Sequence, residues 1–169
     1  MIRKAEKSDA QAIADIYNYY IENTVTTFEE EIVSVDEISS RISLVQAYAY
    51  PWLVAVENGH IIGFAYVTRW NKRSAYRKTV EISAYVSRDS VSRGWGTKLY
   101  EALLAELQNH SIHIVVAGIT LPNPASVALQ EKFGMRKVAH FEEVGFKFDK
   151  WLDVGYWQLQ LTPGNKSTK

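Results

Sequence analysis

The 169 residues suffice for one domain with a substantial core and leave little room for two, so a single active site is expected. Nineteen basic side chains against nineteen acidic ones remove the long-range positive field that draws proteins to phosphate backbones or anionic membranes, which argues against nucleic-acid and membrane partners. The absence of cysteine excludes disulfides, thiolate zinc sites and cysteine nucleophiles, leaving the chemistry to other groups.

The opening segment MIRKAEKSDAQ lacks the apolar core of a signal peptide, and no stretch approaches the roughly eighteen apolar residues of a membrane span, so a cytoplasmic protein is expected. Ser8 with Gln11 has the spacing of a capping box, and Ile13, Ile16, Tyr17, Tyr20 and Ile21 follow at helical intervals. Ser34 with Glu37 repeats that signature ahead of Val35, Ile38, Ile42 and Val45, predicting a second helix that runs towards Tyr48 and stops before Pro51. A polar loop carrying Thr26, Thr27 and Phe28 separates the two.

From Trp52 the periodicity changes. WLVAVE and HIIGFAYVTRW flank Asn58-Gly59, a strong signal for a tight hairpin between antiparallel strands. After the charged linker NKRSAYRK, TVEISAYV alternates strictly, with Val80, Ile82, Ala84 and Val86 on one face and Glu81, Ser83 and Tyr85 on the other. Leu99, Leu103 and Leu107 mark an amphipathic helix starting near the glycines of RGWG, and IHIVVAGI reads as a buried strand. Asn123-Pro124 is a favourable cap and first-turn pair for a short helix that Gly134 ends. Two aromatic-rich strands follow, roughly 137–148 and 152–161, giving an α+β order with a strand, helix, strand crossover in the middle. One domain is expected over 1–162, with a flexible polar tail over 163–169.

The most informative stretch is YVSRDSVSRGWGTKLY, where a strand passes through two glycines into the start of a long helix. First-turn amides lack intrahelical partners, the helix dipole favours negative charge, and glycine lets a phosphate approach the backbone. Alone, such a turn is equally a loop whose glycines supply unusual dihedral angles. Neither a Walker loop nor a Rossmann-type fingerprint is present, which disfavours nucleotide triphosphatases and dehydrogenases. Glu81, read by itself, is a strand carboxylate that serves either a solvated face or general-base chemistry. Arg73 and Arg77 beside Tyr76 offer a fork for a carboxylate or simple solubility. Four histidines without tight ligand spacing give no reason to expect a metal.

Val91-Ser92-Arg93-Gly94-Trp95-Gly96 resembles the Gln/Arg-x-x-Gly-x-Gly/Ala loop of GNAT acetyltransferases, departing at its first position, where Val91 stands for Gln or Arg. Together with YPWLVAV, the TVE strand, LPNPASV and KWLDVGYWQLQL, the chain is similar to the phosphinothricin and methionine sulfoximine acetyltransferases over nearly its full length. That resemblance implies the GNAT fold, a mostly antiparallel mixed sheet flanked by helices, and direct transfer of acetyl from acetyl-CoA to the α-amino group of a small amino-acid-like acceptor. It implies Glu81 as general base, and Ala84, Tyr85 and Val86 along the pantetheine arm. Ser92, Arg93, Gly94, Trp95, Gly96 and Thr97 fall on the pyrophosphate, and Asn123 and Lys132 on the coenzyme from the following helix. Phe28, Arg73, Ser74, Ala75, Tyr76 and Arg77 match acceptor-binding positions, and the family's homodimers fit the aromatic terminal strands. Two departures bear on transfer of these roles: Phe148 replaces a histidine associated with the acidic head group of phosphinothricin, and Gln130 replaces a His or Tyr proton donor. The alternatives are an acetyltransferase for another amine, such as a protein N-terminus, polyamine or xenobiotic, and a non-catalytic acyl-CoA sensor.

Overall fold

The computed structural model describes residues 1–161, so the expected tail over 163–169 lies outside the described residues. Two helices precede the hairpin: α1 (Ala10–Asn23) and α2 (Val35–Ala47), the latter capped by Ser34, whose hydroxyl accepts from Glu37 N–H as its spacing predicts. The start of α1 is set differently. A short strand, β1 (Ile2–Lys4), leads into a 3-10 turn, and the carboxylate of Asp9 accepts from Glu6 N–H at 2.8 Å and from both Arg3 nitrogens at 2.7 and 2.8 Å. Gln11, the residue expected to cap, bonds Asp15 instead. Only a two-oxygen acceptor at position 9 can take the Arg3 fork and the Glu6 amide together, which displaces the Ser8–Gln11 pair.

Arg3 holds the Asp9 carboxyl below its ordinary value of 3.8. A lowered folded value stabilises above the unfolded value and is lost as pH falls through the folded one. Asp9→Asn is therefore expected to cost about 1–2 kcal/mol at pH 7, discounted for the partly exposed guanidinium. The gap between variant and parent in urea melts should close below pH 3.8.

The strands β2 (Trp52–Glu57) and β3 (His60–Arg69) turn at Asn58-Gly59, both left-handed, as a two-residue hairpin requires. Strand β4 (Thr79–Val86), helix α3 (Trp95–Leu107) and strand β5 (Ile114–Leu121) make the crossover. Helix α4 (Pro124–Lys132) and strands β6 (Arg136–Lys147) and β7 (Lys150–Gln160) complete the described chain. All seven strands lie in one sheet, ordered β1-β2-β3-β4-β5-β7-β6, with β4–β5 the parallel pair and the other neighbours antiparallel.

Strand alternation divides the apolar side chains between two faces. Val80 and Ile82 join Leu99, Leu103 and Leu107 under α3, while Tyr85 joins Trp52, Phe64 and the buried sides of α1 and α2. The three leucines, four apart, are wholly buried, which is the stripe the sequence advertises. Helices thus cover both faces of β4, and this strand becomes the rigid centre on which the site is built.

Candidate active site

β4 and β5 run side by side only through Thr79–Ile114, Val80–Val115 and Glu81–Val116. Beyond that point each follows a different neighbour: β4 keeps register with β3 to Val86, and β5 with β7 to Leu121. The strands diverge into a cleft whose walls include Ser83, Ala84, Tyr85, Tyr100, Gly118 and Asn123. Main-chain groups on the facing edges have no ladder opposite them, and buried groups of this kind demand a partner. An extended ligand carrying amides meets that demand.

Past β4 the chain makes a 3-10 turn at Arg88–Ser90 and enters α3 through Ser92 (φ 64°) and Gly94 (φ 79°). Left-handed residues in this pattern turn successive amides the same way, and the first helical bond is Lys98 N–H to Gly94 C=O, after the amides of Trp95, Gly96 and Thr97. These amides have no intrahelical acceptor and stand at the positive end of a thirteen-residue helix, where negative charge is favoured. Trp95 is buried beneath it with Lys98 Nζ 4.3 Å from the ring centre. The Arg93 guanidinium grips Glu57 at 2.8 and 2.9 Å, so this residue offers its backbone, not its charge, to a phosphate.

At Ser83, Tyr85, Gly118 and Thr120 the cleft shares its walls with a second cavity of about 540 Å³. Glu81 stands in this cavity, at the last paired position before the strands part. Burial holds its carboxyl above the ordinary glutamate value of 4.5, and an N–H from Gly118 opposes part of that rise. Gly118 keeps this wall close: a Cβ would approach the Tyr156 ring to 3.2 Å and Glu81 Oε1 to 3.4 Å, and both side chains would have to give by a few tenths of an ångström. A carboxylate beside the wall shared by the cleft and the cavity can take a proton from a nucleophile attacking across it.

The rim is the loop between α1 and α2. Tyr17 Oη and Thr27 Oγ1 are 2.9 Å apart, Asn18 bonds both backbone groups of Val33, and the buried Lys147 donates to Thr27 C=O at 2.9 Å. Burial pushes the Lys147 ammonium below its ordinary value. Phe28 lies against Gly145 of β6, where any Cβ would fall within its ring. Gly145→Ala is therefore expected to push Phe28 from the cavity wall and to weaken several-fold the binding of a small molecule held there, read by calorimetry.

The sequence matches the family model for the acetyltransferase (GNAT) domain over residues 2–155. The chain belongs to the GNAT acetyltransferase family. It is 39% identical to a phosphinothricin N-acetyltransferase of Streptomyces viridochromogenes, with 93% of this chain and 85% of the relative aligned. It is 37% identical to an L-methionine sulfoximine/L-methionine sulfone acetyltransferase of Salmonella typhimurium, covering 95% of this chain and 94% of the relative. Among solved structures, yncA of Salmonella typhimurium with its cofactor acetyl-CoA superposes with a TM-score of 0.94 at 36% identity, covering 96% of this chain and 94% of that one. The fold is the GNAT fold expected from the sequence.

Against that family frame, the acetyltransferase gathers some of the expected residues and leaves others apart. Ala84, Tyr85 and Asn123 line the cleft, Val86 closes β4 with its carbonyl accepting from Tyr20 Oη at 2.6 Å, and residues 92–97 form the glycine turn into α3. Asn123 also caps α4 as the sequence predicts, its Oδ1 accepting from Ser126 N–H at 3.1 Å. Lys132 is exposed at the end of α4 and lines neither hollow.

Phe28 lines the acceptor cavity, but Arg73, Ser74, Ala75, Tyr76 and Arg77 do not. They form an exposed 3-10 turn beyond the Thr79 end of β4. Local bonds hold it there: Arg77 Nη1 donates to Ser74 C=O, Arg73 N–H to Asn71 Oδ1, and Tyr76 packs edge-on to Trp70. The expectation of a carboxylate-binding arginine fork is not met within one chain. Conversely, Tyr66, Thr68, Phe141, Val144 and Tyr156 line the cavity without having been singled out in the sequence. Phe141 and Val144 reach it through a bulge in β6 at Glu143 (φ 49°), whose N–H is held by Asp153 at 2.9 Å. Among the described residues, no group of three or more His, Asp or Glu is placed to hold a metal ion, and no helix is long and apolar enough to cross a membrane.

Proposed function

We propose that this enzyme transfers the acetyl group of acetyl-CoA directly to the α-amino group of a small amino-acid-like acceptor of the phosphinothricin, methionine sulfoximine or methionine sulfone type. The observation that carries the reading is the shared wall at Ser83, Tyr85, Gly118 and Thr120, which joins the cleft to the cavity with Glu81 beside it. The names of the two aligned relatives support the acceptor class, and a cavity of about 540 Å³ suits a small molecule.

When bound, acetyl-CoA supplies an activated acyl group. The free edge of Ala84, Tyr85 and Val86 takes the amides of its arm, the amides of Ser92 through Thr97 with Gly94 and Gly96 take the diphosphate, and the side-chain amide of Asn123 meets the arm from α4. Glu81 accepts the proton that the amine loses on attack, directly or through water, and an N–H near Tyr85 faces the oxygen that gains charge. Phe28 covers the acceptor. The need for acetyl-CoA also fits the cytoplasmic setting expected from the sequence.

A homodimer belongs to the same reading. Phe141, Val144, Phe146, Phe148 and Trp151 leave an apolar face on β6 and β7, each about half exposed or more, at the sheet edge. A face of this kind marks an association surface. Trp151→Glu is expected to convert the dimer to a monomer in multi-angle light scattering.

The function is tested by coenzyme A release across an amine panel. Methionine sulfone, methionine sulfoximine and phosphinothricin should be turned over well ahead of spermidine and of peptides with free N-termini. Preference for the polyamine or the peptides overturns the acceptor class, and coenzyme binding without turnover of any amine overturns the enzyme.

A further inference from the structure

Position 130 holds a glutamine, which cannot give a proton to a leaving thiolate, yet the structure sets a hydroxyl beside it. Tyr100 lies beside the leucine stripe of α3, is buried, and accepts a hydrogen bond from Gln130 Nε2 at 2.6 Å. Gln130 is itself buried, and its Oε1 has no partner among the described residues. Both side chains line the cleft with Ala84, Tyr85, Gly118 and Asn123, where the divergent strands would admit the thioester end of a coenzyme arm. Because the hydroxyl accepts from Gln130, its own hydrogen is committed to no acceptor among the described residues. The Tyr100 ring is fixed by packing against Phe133, with centroids 5.8 Å apart.

We propose that Tyr100, oriented by Gln130, donates the proton that the departing coenzyme A thiolate takes up. This rests on the transfer reaction proposed above and names a residue it lacks. The amine nitrogen pair forms the new C–N bond, and its proton goes to Glu81. The C–S bond breaks with both electrons leaving on sulfur, and the Tyr100 O–H proton moves to that sulfur. The tyrosinate, steadied by the Gln130 N–H, is reprotonated through water from solvent while Glu81 returns its proton to solvent, so the sum is amide plus free thiol. Burial pushes the Tyr100 hydroxyl up to about 12, which keeps it protonated throughout the physiological range. Gln130 offsets part of that rise by bonding the ionised form.

The test is Tyr100→Phe, which removes the hydroxyl and keeps the ring. The expected result is a fall in kcat of about 10²-fold with loss of the alkaline limb of the pH profile, at unchanged acetyl-CoA affinity by calorimetry. A second readout needs no turnover. Affinity for free coenzyme A should strengthen in the wild type as pH rises through the thiol's ionisation, because the hydroxyl bonds the thiolate, and should lose that dependence in the variant. Gln130→Leu should reduce kcat by an intermediate factor. Wild-type turnover that survives intact in Tyr100→Phe overturns this assignment and leaves the role of Glu81 standing. A loss of acetyl-CoA affinity or melting temperature matching the loss of activity also overturns it, since the residue then only packs. If wild type acetylates no amine, both readings fall, and the pH dependence of coenzyme A binding shows whether Tyr100 meets sulfur at all.

Discussion

Glu81→Gln is expected to lower kcat by roughly 10²- to 10⁴-fold, the usual contribution of a positioned general base, without weakening acetyl-CoA binding. The substitution keeps the shape of the side chain at the mouth of the splay and removes only its ability to take a proton. Melting should not suffer. Burial holds the Glu81 carboxyl above 4.5, and a raised folded value favours the fold only at low pH, its contribution fading as pH rises through that value. At pH 7 the ionised carboxylate weighs against folding, so the glutamine variant should melt at or above the parent temperature. In the parent, kcat/KM should fall on the acid side through a pKa above that of an exposed glutamate. A variant that melts early would mark Glu81 as structural, and one that retains turnover would remove it from the reaction.

Gly94→Val should raise the Kd for acetyl-CoA by about 10- to 100-fold, equivalent to roughly 1.4–2.8 kcal/mol. Space is not the difficulty, since a Cβ at this position meets nothing within 4 Å. The difficulty is φ 79°, which a β-branched residue adopts only at a cost of about 1–3 kcal/mol. The chain relieves that strain by rotating the peptide, and rotation turns the amides at the start of α3 away from one another. Acetyl-pantetheine, which has no diphosphate, separates this effect from general damage. Its kcat/KM should be nearly the same in parent and variant, while that of acetyl-CoA drops. An equal loss with both donors would mean that the turn supports the cleft instead of gripping phosphate.

Elements whose character is local were plain in the sequence. The leucine stripe of α3, the Asn58-Gly59 turn, the Ser34 and Asn123 caps and the alternation of β4 each follow from residues a few positions apart, and the fold realises all of them. Strand β1 escaped because three residues reading Ile-Arg-Lys carry no period and become a strand only by pairing with β2. The expected Ser8–Gln11 cap of α1 is absent because Asp9 closes a capping box on the preceding 3-10 turn, held by Glu6 N–H and by Arg3 from that same strand.

The candidate site divides along the same line. Glu81, the β4 edge and the glycine turn lie in one continuous stretch of chain, where motif and geometry coincide. The cavity walls from β6 and β7 are brought in by strand order and a bulge, neither of which leaves a mark in the residues themselves. Tyr100 adjoins the buried leucines of α3, where helical spacing marks burial alone, and only tertiary packing brings Gln130 against its hydroxyl. The Arg73–Arg77 turn misled for the opposite reason, since its composition suggests recognition while its internal bonds hold it outside the cavity.

Three paired residues are all that stitch β4 to β5, so the sheet is in effect two panels, one of four strands and one of three, sewn along a short seam. Under the proposed function, a donor lying in the gap lengthens that seam by lending its own amides to the free strand edges, so that the joint between the panels is completed by a molecule and not by the chain.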